Sequence, residues 1–400
     1  MAQLARLMNG FEPSKISEIF ALANRLKADG RDIIDLSAGE PDFDTPEAIK
    51  RAGCRAIDAG ETKYTDVDGT PALKRAVREK FARDNELDYD LDQIVIGAGA
   101  KPLLFHALQA IVDPGDEVIV PTPCWPSYRG MIRLAGGLPV MAPTSIESGF
   151  RLTPEDLRAV ITPRSKALML NAPGNPSGAA YDAAALKAIA AVLADHPNIW
   201  VVTDDLYEHV MFDGRRFETP AAAAPEIYDR TLTVNGVSKG HAMTGWRIGF
   251  AGGPRDLVGA MVRVMTQTTG NPPTMSQAAA IEALTGSQAH CAEWAARFQA
   301  RRDLAAEMID TARGLRCALP DGAFYLFPNC SALMGSSTPD GKKIDTSADL
   351  ARYLLEDAGV AVVPGGAFEC DPYFRLSFAA ADDLLREGCH RIQRACAALR

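Results

Sequence analysis

Between residues 94 and 251, short apolar runs alternate with longer stretches whose apolar side chains recur every three or four positions. The runs at 94–96, 117–120, 167–170, 199–203, 232–234 and 248–251 predict strands. Several are apolar at successive positions, which suits strands covered by helices on both faces of a mostly parallel sheet. The stretches at 102–112, 153–161 and 183–194 carry helical spacing, with starts at Pro102 and Thr153. This alternation predicts an α/β fold. Ahead of it, Ile16, Ile19, Phe20, Ala23 and Leu26 mark one face of an amphipathic helix.

After about residue 286 the pattern changes to a long helix over 292–312, a strand-like GAFYLF run, and a closing α/β segment that ends in an amphipathic helix. The expected division is an N-terminal segment, 1–46, that joins a small domain; a large domain, 47–285; and a C-terminal small domain, 286–400. The polar stretch at 335–343 reads as a surface loop, and no internal repeat is present.

A chain of 400 residues exceeds what one core usually supports, in keeping with two domains. A net charge of −9 argues against a protein that binds nucleic acid through its phosphates, which needs a basic stripe. The first fifteen residues lack the apolar centre of a secretory signal, and no long uncharged span occurs. The expectation is a cytoplasmic protein without a membrane partner. The eight cysteines are scattered, with no C-x-x-C pair and no histidine pair at ligand spacing, so buried thiols and no metal site are expected.

Candidate chemistry lies where the strands end. Ser238 and Lys239 follow the 232–234 run, and Gly245, Trp246 and Arg247 follow closely. An amine that attacks a carbonyl must be uncharged, and partial burial beside a cation lowers its pKa toward neutrality. Asn171 to Gly178 (NAPGNPSG) and Thr203 to Tyr207 (TDDLY) also follow strands, so Asn175, Asp204, Tyr207 and Lys239 can converge at one sheet edge. The Gly97 to Lys101 turn (GAGAK) joins a strand to a helix, where free amides and the helix dipole receive an anion. It lacks the G-x-G-x-x-G of a dinucleotide fold, and no ribose-binding acid follows at the expected spacing. Read without context, Arg375 is a surface ion-pairing residue, Trp125 a core residue, and Asn175-Pro176 a turn.

Taken in order, SAGEPDF at 37–43, Lys63-Tyr64-Thr65, DPGDEV at 113–118, Ser238-Lys239, GWR at 245–247 and FRLSF at 374–378 resemble the class I and II aminotransferases of fold type I. The likeness is nearest to the bacterial aspartate aminotransferase-like subgroup and covers nearly the whole chain. It implies a pyridoxal 5′-phosphate (PLP) enzyme with a mostly parallel central sheet covered by helices and a smaller α/β domain built from both termini. Lys239 would hold the cofactor as a Schiff base and then shuttle a proton, and Asp204 would pair with the pyridine nitrogen. Tyr207 and Asn175 would bond the ring's 3-oxygen, Trp125 would stack on the ring, and an X-Pro cis bond at Asn175-Pro176 is expected as in relatives. Gly99, Ala100, Lys101, Ser238 and Arg247 would hold the phosphate, joined by Tyr64 from a neighbouring subunit, which implies a homodimer with shared sites. Arg375, assisted by Gly39 and Asn175, would clamp the substrate carboxylate. The partners are then amino acids and 2-oxo acids.

Substrate choice stays open at this stage. Lys101 stands where a basic contact to a distal carboxylate can form, which favours an aspartate-like donor, whereas Ile16 replaces a hydroxyl residue frequent in the aspartate enzymes. His241 stands where relatives often carry an aromatic and reads as a packing substitution. The rival readings are an aromatic or aliphatic amino-acid aminotransferase, a PLP-dependent carbon-sulfur β-lyase, and a non-catalytic PLP-binding regulator.

Overall fold

The computed structural model describes residues 4, 5, 8, 11 and 15–400, the side chains of 15–17 excepted. In chain order the strands are β1 (Ile34–Asp35), β2 (Ile94–Gly97), β3 (Glu117–Thr122), β4 (Leu138–Pro143), β5 (Ser165–Asn171) and β6 (Trp200–Asp204). They continue with β7 (Thr231–Gly236), β8 (Gly249–Gly252), β9 (Tyr325–Leu326), β10 (Val360–Ala361), β11 (Val363–Pro364) and β12 (Phe374–Ser377).

Seven strands form the central sheet in the order β2-β8-β7-β6-β5-β3-β4. The run β7-β6-β5-β3-β4 is parallel, and β8 lies antiparallel between β2 and β7. The six expected strands are present, with ends displaced by one or two residues. The sequence reading missed β4, whose LPVMAP segment carries two prolines and is only partly buried. It lies at the sheet edge and pairs with β3 alone, the position where missing ladder donors cost least.

Side-chain alternation explains why both faces are covered. Val118, Val120, Ala167, Met169 and Val202 join one core with Leu103, Leu104 and Leu108 of helix Ala100–Ile111 and Met261 of helix Arg255–Gln267. Their neighbours Ile119, Leu168, Leu170 and Val201 face the opposite core with Leu186, Ile189 and Leu193 of helix Ala183–Ala194. At roughly 1.5–3 kcal/mol for each fully buried aliphatic side chain, this two-sided burial is the main force holding the layers.

The helix expected over 153–161 runs Pro154–Val160, capped by Thr153, whose hydroxyl accepts from the Asp156 amide at 3.1 Å. The helix expected from Pro102 starts instead at Ala100, because Gly99, at φ 98°, turns the chain into it. Helix Lys15–Ala28 is present, and Ala23 packs with Leu355 and Ala361 beside the partly buried Ile19 and Leu26, whereas Phe20, expected on the same face, is exposed.

Beyond the central sheet, helix Ala289–Asp310 leads to a three-stranded sheet, β11-β12-β9, while β1 pairs in parallel with β10. One core gathers Leu36 from the N-terminal segment with Phe324, Leu354, Phe374, Leu376 and Ile392. The stretch 335–343 forms neither helix nor named strand.

Candidate active site

Asn171 ends β5, Asp204 ends β6, and Ser238 and Lys239 follow β7, so successive parallel strands deliver their last residues to one edge of the sheet. The β2 and β3 ends bring Ala100 and Trp125 to the same edge, and the antiparallel β8 brings Arg247 there from its amino end. A cavity of about 280 Å³ opens between this edge and the β9-β12 sheet, lined by Gly39, Lys101, Asn175, Tyr207, Tyr325 and Arg375 as well as these residues.

Lys239 lies at the floor, its Nζ donating to the Gly39 carbonyl. Burial lowers its pKa to about 8; Glu40 and Asp204 oppose that shift, and Arg375 and Arg247 add to it. Asp204 is buried, and its Oδ2 accepts from the Tyr128 hydroxyl at 2.6 Å. Its Oδ1 has no hydrogen-bond partner among the described residues. Burial raises the Asp204 pKa, and the Tyr128 bond, the Leu206 amide and Lys239 hold it back. An unpaired buried carboxylate oxygen costs about 1–3 kcal/mol or more unless a ligand supplies a donor.

Arg375 is only 2% exposed. Its Nη1 donates to Asn175 Oδ1 at 2.9 Å and its Nη2 to the Ser37 carbonyl at 2.6 Å, while its guanidinium rests 4.4 Å from the Tyr325 ring centroid. Nε lacks a partner among the described residues. Asn175 is itself oriented by its amide, which donates to Asn171 Oδ1 at 2.8 Å, and the Asn175-Pro176 bond is cis. Tyr207 shares a 2.8 Å hydroxyl contact with Tyr325, and burial pushes its phenol well above the usual range.

At the other end, Gly99 turns the chain so that helix Ala100–Ile111 points its first amides into the cavity. The Gly99 amide donates to the Gly97 carbonyl at 2.7 Å, so the Ala100 and Lys101 amides are the donors offered to a ligand. A Cβ on Gly99 would collide with the Arg247 guanidinium. Lys101 Nζ sits 4.6 Å from the Trp125 ring centroid; burial, then Arg247, lowers its pKa. The arrangement can hold an anion at the helix start, a protonated ring nitrogen at Asp204 and a carboxylate at Arg375.

Of the expected site residues, Gly39, Ala100, Lys101, Trp125, Asn175, Asp204, Tyr207, Ser238, Lys239, Arg247 and Arg375 line the cavity. Gly99 does not line it but caps the start of helix Ala100–Ile111 beside Ala100. Tyr64 does not line it and is 97% exposed, and the Ile16 side chain lies outside the described residues. Sequence reasoning missed Tyr128 and Tyr325. Tyr325 sits within the recognised GAFYLF run, but nothing in that pattern distinguishes a cavity hydroxyl from core.

The profile of the family described as aminotransferase class I and II matches residues 31–392. Over 396 residues, 97% of both chains, the sequence is 52% identical to the aspartate aminotransferase of Rhizobium meliloti strain 1021. It is 51% identical, across 100% of both chains, to the aspartate/prephenate aminotransferase of Cereibacter sphaeroides. A solved structure of the aspartate aminotransferase from Rhizobium meliloti superposes with a TM-score of 0.97 at 51% identity, covering 100% of both chains.

Proposed function

Because the chain belongs to the class I and II aminotransferases, and so is a PLP-dependent transaminase of fold type I, we propose that it moves the amino group of aspartate to a 2-oxo acid such as 2-oxoglutarate. The observation that carries this reading is a single cavity that joins an amine with a pKa of about 8 to two carboxylate-sized cationic positions, Arg375 and Lys101. The relatives named as aspartate aminotransferases support the donor. The relative named for prephenate as well supports a wider acceptor range that includes this ring-bearing 2-oxo acid.

The residues present fit PLP. The orphaned Asp204 Oδ1 suits a protonated ring nitrogen, and the Ala100 and Lys101 amides, Ser238 and Arg247 suit the phosphate. Tyr207 and Asn175 suit the ring's 3-oxygen, and Trp125 its face. When bound, PLP supplies the carbonyl that carries the amino group and the electron sink for charge left at the substrate α-carbon. Arg375 holds the α-carboxylate with its remaining N–H groups, oriented by Asn175, Ser37 and the Tyr325 ring. Gly39 shapes the same end, and Lys101 meets a distal carboxylate. With the cofactor bound, Lys239 Nζ would accept the proton from the substrate α-carbon and deliver it to the cofactor carbon that takes the amino group. Asp204 would pair with the ring nitrogen, and the Tyr128 hydroxyl fixes the orientation of its carboxylate.

Three further readings accompany this one. The exposed Tyr64 suits a homodimer in which it completes the neighbouring site. The eight free thiols suit a reducing cytoplasm. Domains at 1–46 with 286–400 and at 47–285 are supported by the sheets, since the seven-stranded sheet lies within 47–285 and the β1-β10 and β11-β12-β9 sheets lie outside it. Among the described residues, no helix is long and apolar enough to cross a membrane.

The test is a half-reaction. Protein loaded with PLP should lose its lysine-bound visible absorbance on addition of aspartate and regain it with 2-oxoglutarate, and Lys239→Ala should show neither that absorbance nor turnover. A response confined to aromatic or aliphatic donors would overturn the aspartate assignment, and pyruvate released from cystathionine without amino transfer would instead mark a β-lyase.

A further inference from the structure

Behind the cavity, on the far side of the Lys239 turn, three histidines and a thiol meet that are scattered in sequence. His209 lies beyond β6, His241 stands two residues after Lys239, and His290 and Cys291 open helix Ala289–Asp310. One donor atom each from His209, His241 and Cys291 lies within 4.8 Å of the others. His241 is 1% exposed and Cys291 8%. Gly240 allows this gathering, since a Cβ there would strike the His209 ring.

The hydrogen bonds prepare the donors. His290 Nε2 stands 2.9 Å from His241 Nδ1 and 3.5 Å from Cys291 Sγ. In the tautomer that suits a metal, His241 Nδ1 donates to His290 Nε2, and His241 Nε2 keeps its lone pair for the ion. This is the relay by which an outer group orients a metal-binding imidazole.

We propose that His209, His241 and Cys291 form a site for a borderline-soft dication of the zinc type, with His290 orienting His241 from behind. Two imidazoles and a thiolate are the donor set such an ion prefers over oxygen-seeking magnesium or calcium. On binding, the sulfur–metal bond forms as the Cys291 thiol releases its proton to solvent, with no change of oxidation state. Burial disfavours the charged form of each of the three imidazoles and raises the thiol to about 12, so the ion itself supplies the positive charge that ionises the sulfur. A tetrahedral ion draws its donors to roughly 3.3–3.7 Å apart, within reach of side-chain rotations of about 1 Å.

The surrounding charges leave room for a cation. Glu208 Oε1 stands 3.3 Å from His209 Nε2 and 2.5 Å from Lys80 Nζ, so the buried lysine and glutamate balance one another. Asp84 and Arg83, the outer charges facing His209, pair with each other. The His209 side chain is 23% exposed, which gives an ion a way in from solvent and a fourth position for water. Bound there, the ion would pin Gly240 and His241, and with them the turn that carries Lys239.

Cobalt(II) is the probe, because thiolate ligation to it is visible without reference to activity. The PLP-loaded protein, first stripped with a chelator, should develop a near-ultraviolet thiolate-to-cobalt band that saturates at one ion per chain and is displaced by zinc(II). Cys291→Ser should abolish the band while retaining PLP absorbance, and His290→Ala should keep the band with cobalt affinity roughly 10–100-fold weaker. A wild-type protein with no such band at one equivalent would overturn the proposal. So would a band that survives Cys291→Ser, since it would assign the ion to another thiol such as the exposed Cys54.

Discussion

Burial lowers the Lys239 amine to about 8 from an ordinary 10.5, although Glu40 and Asp204 favour its charged form. Two arginines, Arg375 and Arg247, reinforce the lowering, so the residues assigned to the substrate carboxylate and the phosphate also prepare the nucleophile. The neutral amine attacks the cofactor's carbonyl. The rate at which PLP-free protein captures PLP should therefore rise with pH and reach half its maximum near 8, and Glu40→Gln should move that midpoint lower. Rapid-mixing absorbance across pH 6–11 measures this, and a midpoint near 10.5 would contradict it. Lys239, Asp204, Tyr207 and Asn175 were legible because polar residues placed just after buried strands mark a ligand crevice, whereas Arg375, inside β12, was legible only through the family resemblance. Tyr128 and Tyr325 were not, because a tyrosine in an apolar run reads as core until the fold shows its hydroxyl on Asp204 or Tyr207.

At the scale of elements, the turn between β2 and helix Ala100–Ile111 depends on Gly99 at φ 98° and ψ 164°, a region essentially restricted to glycine. Gly99→Ala adds strain of about 1–3 kcal/mol and pushes on Arg247. PLP affinity should fall about tenfold or more, at tenfold per 1.4 kcal/mol, in a titration of cofactor-free protein. Wild-type affinity in the variant would remove Arg247 and this turn from the phosphate site. The central strands were readable because being buried on both faces leaves them apolar at successive positions. β4 escaped notice because an edge strand carries a weaker apolar pattern and tolerates proline. The two-residue strands β1, β9, β10 and β11 are too short for any periodicity, and their pairing is set by tertiary contacts.

Across the whole molecule, Arg301 ties distant parts of the chain. Its guanidinium grips Asp42 through two bonds of 2.8 and 2.9 Å, reaches Asp382 at 2.7 Å, and lies against Phe43. Arg301→Ala should lower stability by about 2–3 kcal/mol, less than the about 3–5 of a fully buried pair, because both carboxylates keep contact with water. A urea midpoint equal to the wild type's would refute it. The same change should weaken substrate binding, since the tied segment leads directly from Gly39 and Glu40.

The bond from Arg375 to the Ser37 carbonyl joins residues 338 positions apart. On a ribosome adding about 5–20 residues each second, Ser37 waits on the order of half a minute for its partner to be made. The central sheet, complete by Gly252, can assemble during that wait. A growing chain can thus acquire the amine and the phosphate turn well before it can hold a substrate carboxylate, so amino-acid recognition arrives only after Arg375 is made.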